Sequence, residues 1–598
     1  MAVEPSPAAP YIDARMDVSG IRLHRHAAID LSALAGALVA AFLFLRLAGA
    51  RADHVPIPQS TPQFNGDTAF ITTRILSENF GNRVTGSPHG QDAAAYIAAR
   101  FQTLGLRPER QDFPIVIRSM LLRGSNIFAR SRGRDSGTIV LLAHYDGQPT
   151  SDQSSGDNAA GVAVLLELAR VLEHEGHRHT LVYLAADATE WGMAGTRHFV
   201  EGLEDPRQII AAISLDHVQN GPGGGILIEA EGIEDDFAPL WLRRAAAEAF
   251  RAGNVRTSDV GTLEEWIHRT LGSTLTDQGP FIDADVPAIN LEVQSRRPEY
   301  ATFLYHTPGD RWETLDRRAL PLLGFGTERL VTALDAAPRP RGPVHYLGLG
   351  ADRMVKGWAI LLAAIALFIP LGLATWEAWL SARSDPAARL AIRSELVRAG
   401  GWWLIGVVGL LATWSTVRVG LLPEFENAPP AVRDPFLYST RWVPVIAVAL
   451  IMVVVGLLLN SMRRRPGLTL SHPLAGRAAA LTTLLVVVVV TILQDPFAAV
   501  WLFVLAAWLW PWIGPSRRPL TGAASALIVL ASAVPLVIAI VVLARPLNVG
   551  VEIGWYLFLQ AAYGSWSGLT VVMFIVMVLA AFRLVGTATA RLLPSEGD

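Results

Sequence analysis

Through the first half of the chain, short and almost unbroken apolar runs alternate with segments whose apolar positions recur every three or four residues. Residues 138–143 (T-I-V-L-L-A) and 180–186 (T-L-V-Y-L-A-A) are aliphatic and rich in β-branched side chains, as strands buried on both faces are. Between them residues 159–172 carry apolar positions at helical spacing. The unit reads as strand, crossover helix, strand, which sets the two strands parallel. Residues 210–215 and 286–292 (V-P-A-I-N-L-E) predict two more strands, and 69–79, 90–104 and 237–250 predict amphipathic helices. The expected fold is α/β, a mixed, mostly parallel sheet flanked by helices, followed by a C-terminal all-α transmembrane bundle.

Past residue 355 the pattern changes to apolar runs of bilayer-spanning length. They cover 357–376, 401–422, 442–459, 478–493, 497–513, 520–544 and 569–586, the fourth and fifth being short with a tight hairpin at Asp495-Pro496 between them. Residues 553–559 suit an interfacial segment, with Trp555 and Tyr556 at headgroup level. An eighth run, 31–50, follows a polar tail of residues 1–30 and reads as an uncleaved anchor. A cleaved signal peptide is the alternative, since Ala48, Gly49 and Ala50 are small. Arg383, Arg389, Arg393 and Arg398 read as one loop, 463–465 with Arg477 as another, Arg517 and Arg518 as a third, and Arg591 lies in the tail 587–598. The alternate loops, 423–440, 494–496 and 546–565, carry few cations, so the basic ones are expected in the cytoplasm together with both termini. Residues 53–353 then lie outside the cytoplasm; Arg353 and Lys356 count against this orientation, but the tally of the other loops outweighs them.

Composition agrees with a membrane protein: 51% of the 598 residues are hydrophobic. Against 53 acidic residues stand 50 basic ones, a formal charge of -3, and nothing in that balance calls for nucleic acid. There are no cysteines, which excludes disulfides and thiolate-bound metal. Arg418 is the one charge read well within a span, so no relay of ionisable groups signals a transporter.

Polar residues gather where the predicted strands end. His144 and Asp146 close the first strand (H-Y-D), Asp157 precedes the crossover helix (S-G-D-N), Glu190 follows the second strand (T-E-W-G), and Asp216 ends the third. His306 lies in Y-H-T-P-G-D. In α/β folds strand ends are where chemistry is exposed, and two imidazoles with three carboxylates form a hard N/O set suited to zinc or a similar ion. Each has a plainer role, Asp157 above all as a helix N-cap. His174, His177 and His179 read as the solvated end of a helix, and Arg296, Arg297 and Tyr300 as a surface loop beside the site.

Taken in order, A-H-Y-D, S-G-D-N-A-A-G, D-A-T-E-W-G-M-A-G, S-L-D and Y-H-T-P-G-D resemble the co-catalytic zinc aminopeptidases of metallopeptidase family twenty-eight, over roughly residues 65–335. T-D-Q-G-P-F at 276–281 is similar to the family's S-D-H-x-x-F. The resemblance implies two zinc ions: His144 and Asp216 on one, Glu190 and His306 on the other, Asp157 bridging. It also implies that Asp146 fixes the tautomer of His144. One span, a peptidase domain and a multi-span bundle resemble the endoplasmic reticulum and vacuolar membrane metallopeptidases. One position departs. The family has two consecutive glutamates, the first a general base, and here that residue is Thr189, which accepts no proton at neutral pH. General-base catalysis is worth about 10² to 10⁴ in rate. Asp187, two residues earlier, is a substitute by proximity but matches an ordinary family position.

The expected function is therefore a membrane-anchored, zinc-dependent aminopeptidase acting on peptides at the outer face. The competing expectation, for which Thr189 is the chief support, is a non-catalytic membrane scaffold that keeps the peptidase fold.

Overall fold

The computed structural model describes residues 18–173, 176–233, 236–271, 274–297, 304–350, 352–424, 441–462, 470–514, 520–547, 550–564 and 566–588. In chain order its strands are β1 (Gly49–Arg51), β2 (Pro108–Ile117), β3 (Met120–Ser131), β4 (Thr138–His144), β5 (Thr180–Ala186), β6 (Ile209–Val218), β7 (Gly223–Glu229), β8 (Thr257–Asp259), β9 (Ala288–Ser295), β10 (Tyr346–Gly348) and β11 (Arg353–Lys356). Eight of them form one sheet in the order β2-β3-β5-β4-β6-β9-β7-β8. The central strands β5, β4, β6 and β9 run parallel, and β3 and β7 join them antiparallel. This is the mixed, mostly parallel sheet that the apolar runs predict.

β4 and β5 are where the sequence places them because both faces are covered. Ile139, Val140, Leu141 and Leu142 are 0–1% exposed, and each such side chain contributes about 1.5–3 kcal/mol on burial. The crossover helix, Ala160–Leu172, is buried almost all round. The strand expected at 286–292 is shifted to Ala288–Ser295, since Pro287 has no N–H to give a ladder. Its carbonyl still accepts from Ala212 N at 2.8 Å.

Register carries the argument toward the site. His144 of β4 stands opposite Ala186 of β5, and Leu142 opposite Ser214 of β6. The residues just beyond these positions therefore emerge at one edge of the sheet.

The β2–β3 hairpin was not legible in the sequence, because its charged residues interrupt the apolar alternation. Phe113, Ile115 and Ile117 form its packed face, against Ala188 and Trp191. β3 pairs with β5 only from Ile127 to Ser131. Its preceding seven residues run on past the carboxyl end of β5, a reach of about 23 Å. At the tip, Ser119 N donates to the carbonyl of Glu424 at 3.3 Å. The hairpin thus connects the sheet edge to the segment that follows the carboxyl end of the helix Pro386–Arg418.

Two further seams join the α/β unit to the apolar helices. β1, β11 and β10 make a small antiparallel sheet, which ties together the points where the chain enters and leaves the unit. Directly beyond it, the helices Val18–Leu47 and Gly357–Ser384 pack side by side. At the second seam the helix Thr262–Leu271 lies on Pro496–Leu509, and the Trp266 indole donates to the carbonyl of Phe497 at 3.0 Å. Buried Arg269 stacks its guanidinium 4.5 Å from the ring of Phe237 and 4.9 Å from that of Phe497.

Among the described residues, five helices are long and apolar enough to cross a membrane: Gly357–Ser384, Pro386–Arg418, Trp442–Met462, Pro473–Gln494 and Gly568–Ala588. The pair Gly522–Ser532 and Val534–Ala544 makes a sixth if its 43° bend falls within one span. Pro496–Trp512 is a shorter apolar helix, as is Ser32–Leu47, the part of the helix Val18–Leu47 whose side chains are described.

Several expectations are corrected. The helix that begins the described chain starts at Val18, inside the expected polar tail, and stops at Leu47, so that Gly49–Arg51 is strand rather than anchor. Arg389, Arg393 and Arg398 are not in a loop. Only Asp385 separates the helices Gly357–Ser384 and Pro386–Arg418, and its carboxylate caps the second by accepting from Ala388 N at 2.7 Å. Arg418 is not inside a span but ends a helix with an exposed side chain, whereas Glu395 of the bundle is buried and paired with the part-buried Arg583. His177 and His179 are not solvated: both are buried, and Asp335 accepts from His179 N at 2.7 Å. Arg296 and Arg297 are exposed as a surface loop should be. Tyr300, His174, the cations at 463–465, Arg517, Arg518 and Arg591 lie outside the described residues, as does most of the loop 423–440.

Candidate metal centre

Five side chains from five separate segments meet at the carboxyl edge of the sheet. His144 Nε2 lies 3.0 Å from Asp216 Oδ1 and 3.2 Å from Asp157 Oδ1. His306 Nε2 lies 2.8 Å from Asp157 Oδ2 and 3.3 Å from Glu190 Oε2. Asp157 therefore turns one oxygen toward each imidazole. His144, Asp157, Asp216 and His306 are each at most 5% exposed.

Local structure explains each placement. β4 ends on His144, and β6 carries Asp216 near its own end. Ser155–Ala159 forms a tight turn before the crossover helix. There Asn158, not Asp157, does the capping: its Oδ1 accepts from Gly161 N at 3.0 Å. Gly161 is required for this fit, since a Cβ would collide with Asn158 Oδ1 and with the carbonyl of Leu215. The Asp157 carboxylate is thus free of the N-cap role that the sequence allows it. His306 holds φ at +55°, a left-handed conformation that costs a non-glycine residue about 1 kcal/mol or more. Stacking of Tyr305 on its ring, with centroids 3.7 Å apart, helps to keep it there.

Asp146 supports the cluster from behind. Its Oδ1 lies 3.3 Å from His144 Nδ1, and its two oxygens accept the N–H groups of Thr189 and Glu190 at 3.1 Å each. Three supports were not singled out from the sequence. Gln148 Nε2 donates to Glu190 Oε2 at 2.8 Å. Asp310 accepts from Gly156 N at 2.7 Å and Asp157 N at 3.2 Å, which fixes the turn that carries Asp157. Asp277 accepts from Thr189 Oγ1 through both oxygens, at 3.0 and 2.9 Å, and from Thr196 Oγ1 at 2.8 Å. Asp310 and Asp277 stand within motifs the resemblance had marked, but their partners are far away in the chain.

The charge balance follows from burial and proximity. Burial works against charging His306, but Glu190 and Asp157 outweigh it and push its pKa up to about 10. His144 is likewise raised well above its ordinary value, against burial, chiefly by Asp216. The Asp157 carboxyl is held well below the usual range, against burial, by the two imidazoles. Asp187, buried beside Asp146, is pushed up to about 7. Its carboxylate accepts from Ser125 N at 2.9 Å and Thr85 Oγ1 at 3.0 Å, and so faces β3 and not the cluster.

The donor set fits a cation. Asp157 Oδ2, Glu190 Oε1 and His306 Nε2 are buried with no hydrogen-bond partner, although His306 Nε2 and Asp157 Oδ2 are only 2.8 Å apart. Their lone pairs are not aimed along the line between them. Ligand atoms of His144, Asp157 and Glu190 lie within 4.8 Å of one another, as donors around a shared ion would.

The sequence model described as peptidase family M28 matches residues 126–327. Uncharacterized protein YfbL of Escherichia coli (strain K12) is 33% identical over 254 residues, covering 38% of this chain and 74% of that one. The chain belongs to peptidase family M28. Another relative, the putative endoplasmic reticulum metallopeptidase 1-B of Caenorhabditis elegans, is 26% identical over 256 residues, covering 42% of this chain and 26% of that one. Several other curated M28-like relatives are matched over about half their length, from 38% to 56%. Among solved structures, BSAP, a zinc aminopeptidase from Bacillus subtilis, is matched at 16% identity and a TM-score of 0.39, over 47% of this chain and 98% of that one.

Proposed function

We propose that the chain is a membrane-anchored, zinc-dependent peptidase of aminopeptidase type that hydrolyses peptide bonds on the extracytoplasmic side. The observation that carries this reading is the meeting of His144, Asp157, Glu190, Asp216 and His306 with buried donor atoms left without hydrogen-bond partners. In this reading His144 and Asp216 hold one zinc ion, Glu190 and His306 a second, and Asp157 bridges them. Bound zinc supplies Lewis acidity toward the scissile carbonyl and lowers the pKa of the attacking water. The chain's own groups do the rest. Asp146 keeps the Nδ1 proton of His144 facing away from the cluster, which leaves Nε2 as a donor. Gln148 orients Glu190, and Asp310 fixes the turn of Asp157.

The proposed layout is an N-terminal tail, an anchor within the helix Val18–Leu47, a peptidase domain at 53–353, a bundle at 357–586 and a tail at 587–598, both tails cytoplasmic. Pairing of β1 with β11 supports an anchor retained as part of the fold. The partners would be a peptide substrate and the lipid bilayer.

Thr189 favours a second reading, a peptidase-like scaffold that binds metal without turnover. Full-length protein in detergent, loaded with zinc and assayed on aminoacyl chromogenic substrates, separates the two. Activity in the wild type that Glu190→Ala abolishes establishes the peptidase. A silent wild type that gains activity on Thr189→Glu establishes the scaffold.

A further inference from the structure

Thr189 occupies the position of the family's general base, yet its hydroxyl does not point at solvent. It donates to Asp277 at 2.9 and 3.0 Å from the two carboxylate oxygens. Resting on the peptidase reading, we propose that Thr189 and Asp277 together replace the missing base, with Asp277 accepting the proton of the attacking water through the Thr189 hydroxyl.

Three observations carry this. Asp277 is 0% exposed, and no ion pair to it forms among the described residues. Its acceptors are filled by Thr189 and Thr196 alone. Burying a carboxylate without a cation is costly, and an amide would accept the same two hydroxyl protons at no such cost, so a purely structural role does not account for an acid here. Second, burial pushes Asp277 up to about 7, with Asp216 at the end of β6 adding to the rise and His144 at the end of β4 opposing it. A base works best when its pKa lies near the operating pH. Third, a threonine hydroxyl donates one hydrogen bond and accepts two, so Thr189, no base by itself, takes the water's proton only as it gives its own to Asp277. Asp187, the nearer carboxylate in sequence, is turned toward Thr85 and Ser125 and has no such path.

The step balances. As the water oxygen bonds to the scissile carbonyl carbon, its proton passes to Thr189 Oγ1 and the Thr189 proton passes to Asp277. When the C–N bond breaks, the same path in reverse returns a proton to the leaving amine. Asp277 acts through another residue and is a positioning residue in this scheme.

The test uses the full-length, zinc-loaded chain and an aminoacyl chromogenic substrate. Asp277→Asn and Thr189→Val are expected to lower kcat by about 10²-fold or more, with zinc content unchanged and KM little altered. Thr189→Ser should retain activity, and Thr189→Glu placed in Asp277→Asn should restore it, since a glutamate there needs no relay. The acid limb of the kcat profile should move in the rescued variant. Infrared difference spectra between wild type and Asp277→Asn should contain a carboxyl band that titrates in the same range and shifts in Thr189→Val. Asp277→Asn that keeps wild-type kcat, or that loses zinc together with activity, overturns the relay alone. A wild type that is loaded with zinc and hydrolyses nothing overturns the peptidase reading and the relay with it.

Discussion

Asp146 stands behind His144, with Oδ1 3.3 Å from Nδ1, while the same carboxylate takes the backbone N–H groups of Thr189 and Glu190. One buried side chain therefore orients an imidazole at the end of β4 and the turn after β5. Asp146→Asn keeps the volume but removes the charge and one acceptor. Zinc affinity is expected to fall about 10- to 100-fold, with the fold intact by circular dichroism. Competition with a fluorescent zinc chelator checks it, and unchanged affinity would show that the Asp146 carbonyl, 3.1 Å from Nδ1, holds His144 without the carboxylate.

In the proposed two-ion site His306 and Asp157 would supply the second imidazole and the shared carboxylate. His306→Ala removes a donor from the Glu190 side of Asp157 and leaves the His144 side whole. Metal analysis of the purified full-length protein is expected to give two zinc ions per chain for the wild type and one for this variant. Asp157→Ala should give fewer than one, because both positions lose a ligand. Equal zinc contents in all three proteins would rule out the bridging assignment.

How much of this was legible beforehand depends on sequence distance. β5, and β4 but for its last residue, were read within their true bounds, because strands buried on both faces are apolar without interruption and have no competing interpretation. The five cluster residues were legible because each closes or follows such a strand, or lies in a recognisable motif. Asp277 was not read as a partner of Thr189, as 88 positions separate them and only the return of the chain after the helix Thr262–Leu271 brings them together. The same holds for Asp310 and Asp157, 153 positions apart. The β2–β3 hairpin was missed for another reason. It lies at the edge of the sheet, where Arg110, Asp112 and Arg123 pair with each other at the surface and disguise the period of two.

The raised pKa of Asp277 has a consequence for stability, independent of turnover. Its folded value is about 7 against an ordinary 3.8, so between these limits the folded chain holds a proton that the unfolded chain releases. The group's favourable contribution is complete below about pH 3.8 and is lost as pH rises through 7. Asp277→Asn removes the dependence. The variant is expected to match the wild type in thermal stability near pH 4 and to exceed it at pH 8, by a few kcal/mol at about 1.4 kcal/mol per unit. Thermal unfolding of both proteins at the two pH values checks this. A variant less stable than wild type at pH 8 would mean that the ionised carboxylate is better satisfied than its neighbours suggest.

In the bundle, Glu395 is 0% exposed and is paired with the guanidinium of Arg583 from the helix Gly568–Ala588. Arg583 Nε also donates to Glu395 Oε2 at 3.1 Å, and Ser471 Oγ to Oε1 at 3.1 Å. Gly476 leaves the room this needs, since a Cβ there would collide with the guanidinium. Three helices, Pro386–Arg418, Pro473–Gln494 and Gly568–Ala588, are thereby drawn to one point. Arg583→Met alone removes the main partner of buried Glu395 and leaves it Arg398, whose guanidinium lies 3.8 Å away, and Ser471, so the loss should be at most about 3–5 kcal/mol. Glu395→Met combined with Arg583→Met removes the buried carboxylate, leaves only the part-exposed Arg398 without it, and should recover part of that loss, because a well-packed apolar pair replaces a buried ion pair at little cost. Unfolding of the four proteins of this cycle in mixed micelles yields the coupling between the two sites. Additive single losses would show that the pair contributes no more than its parts, and that some other contact holds these three helices together.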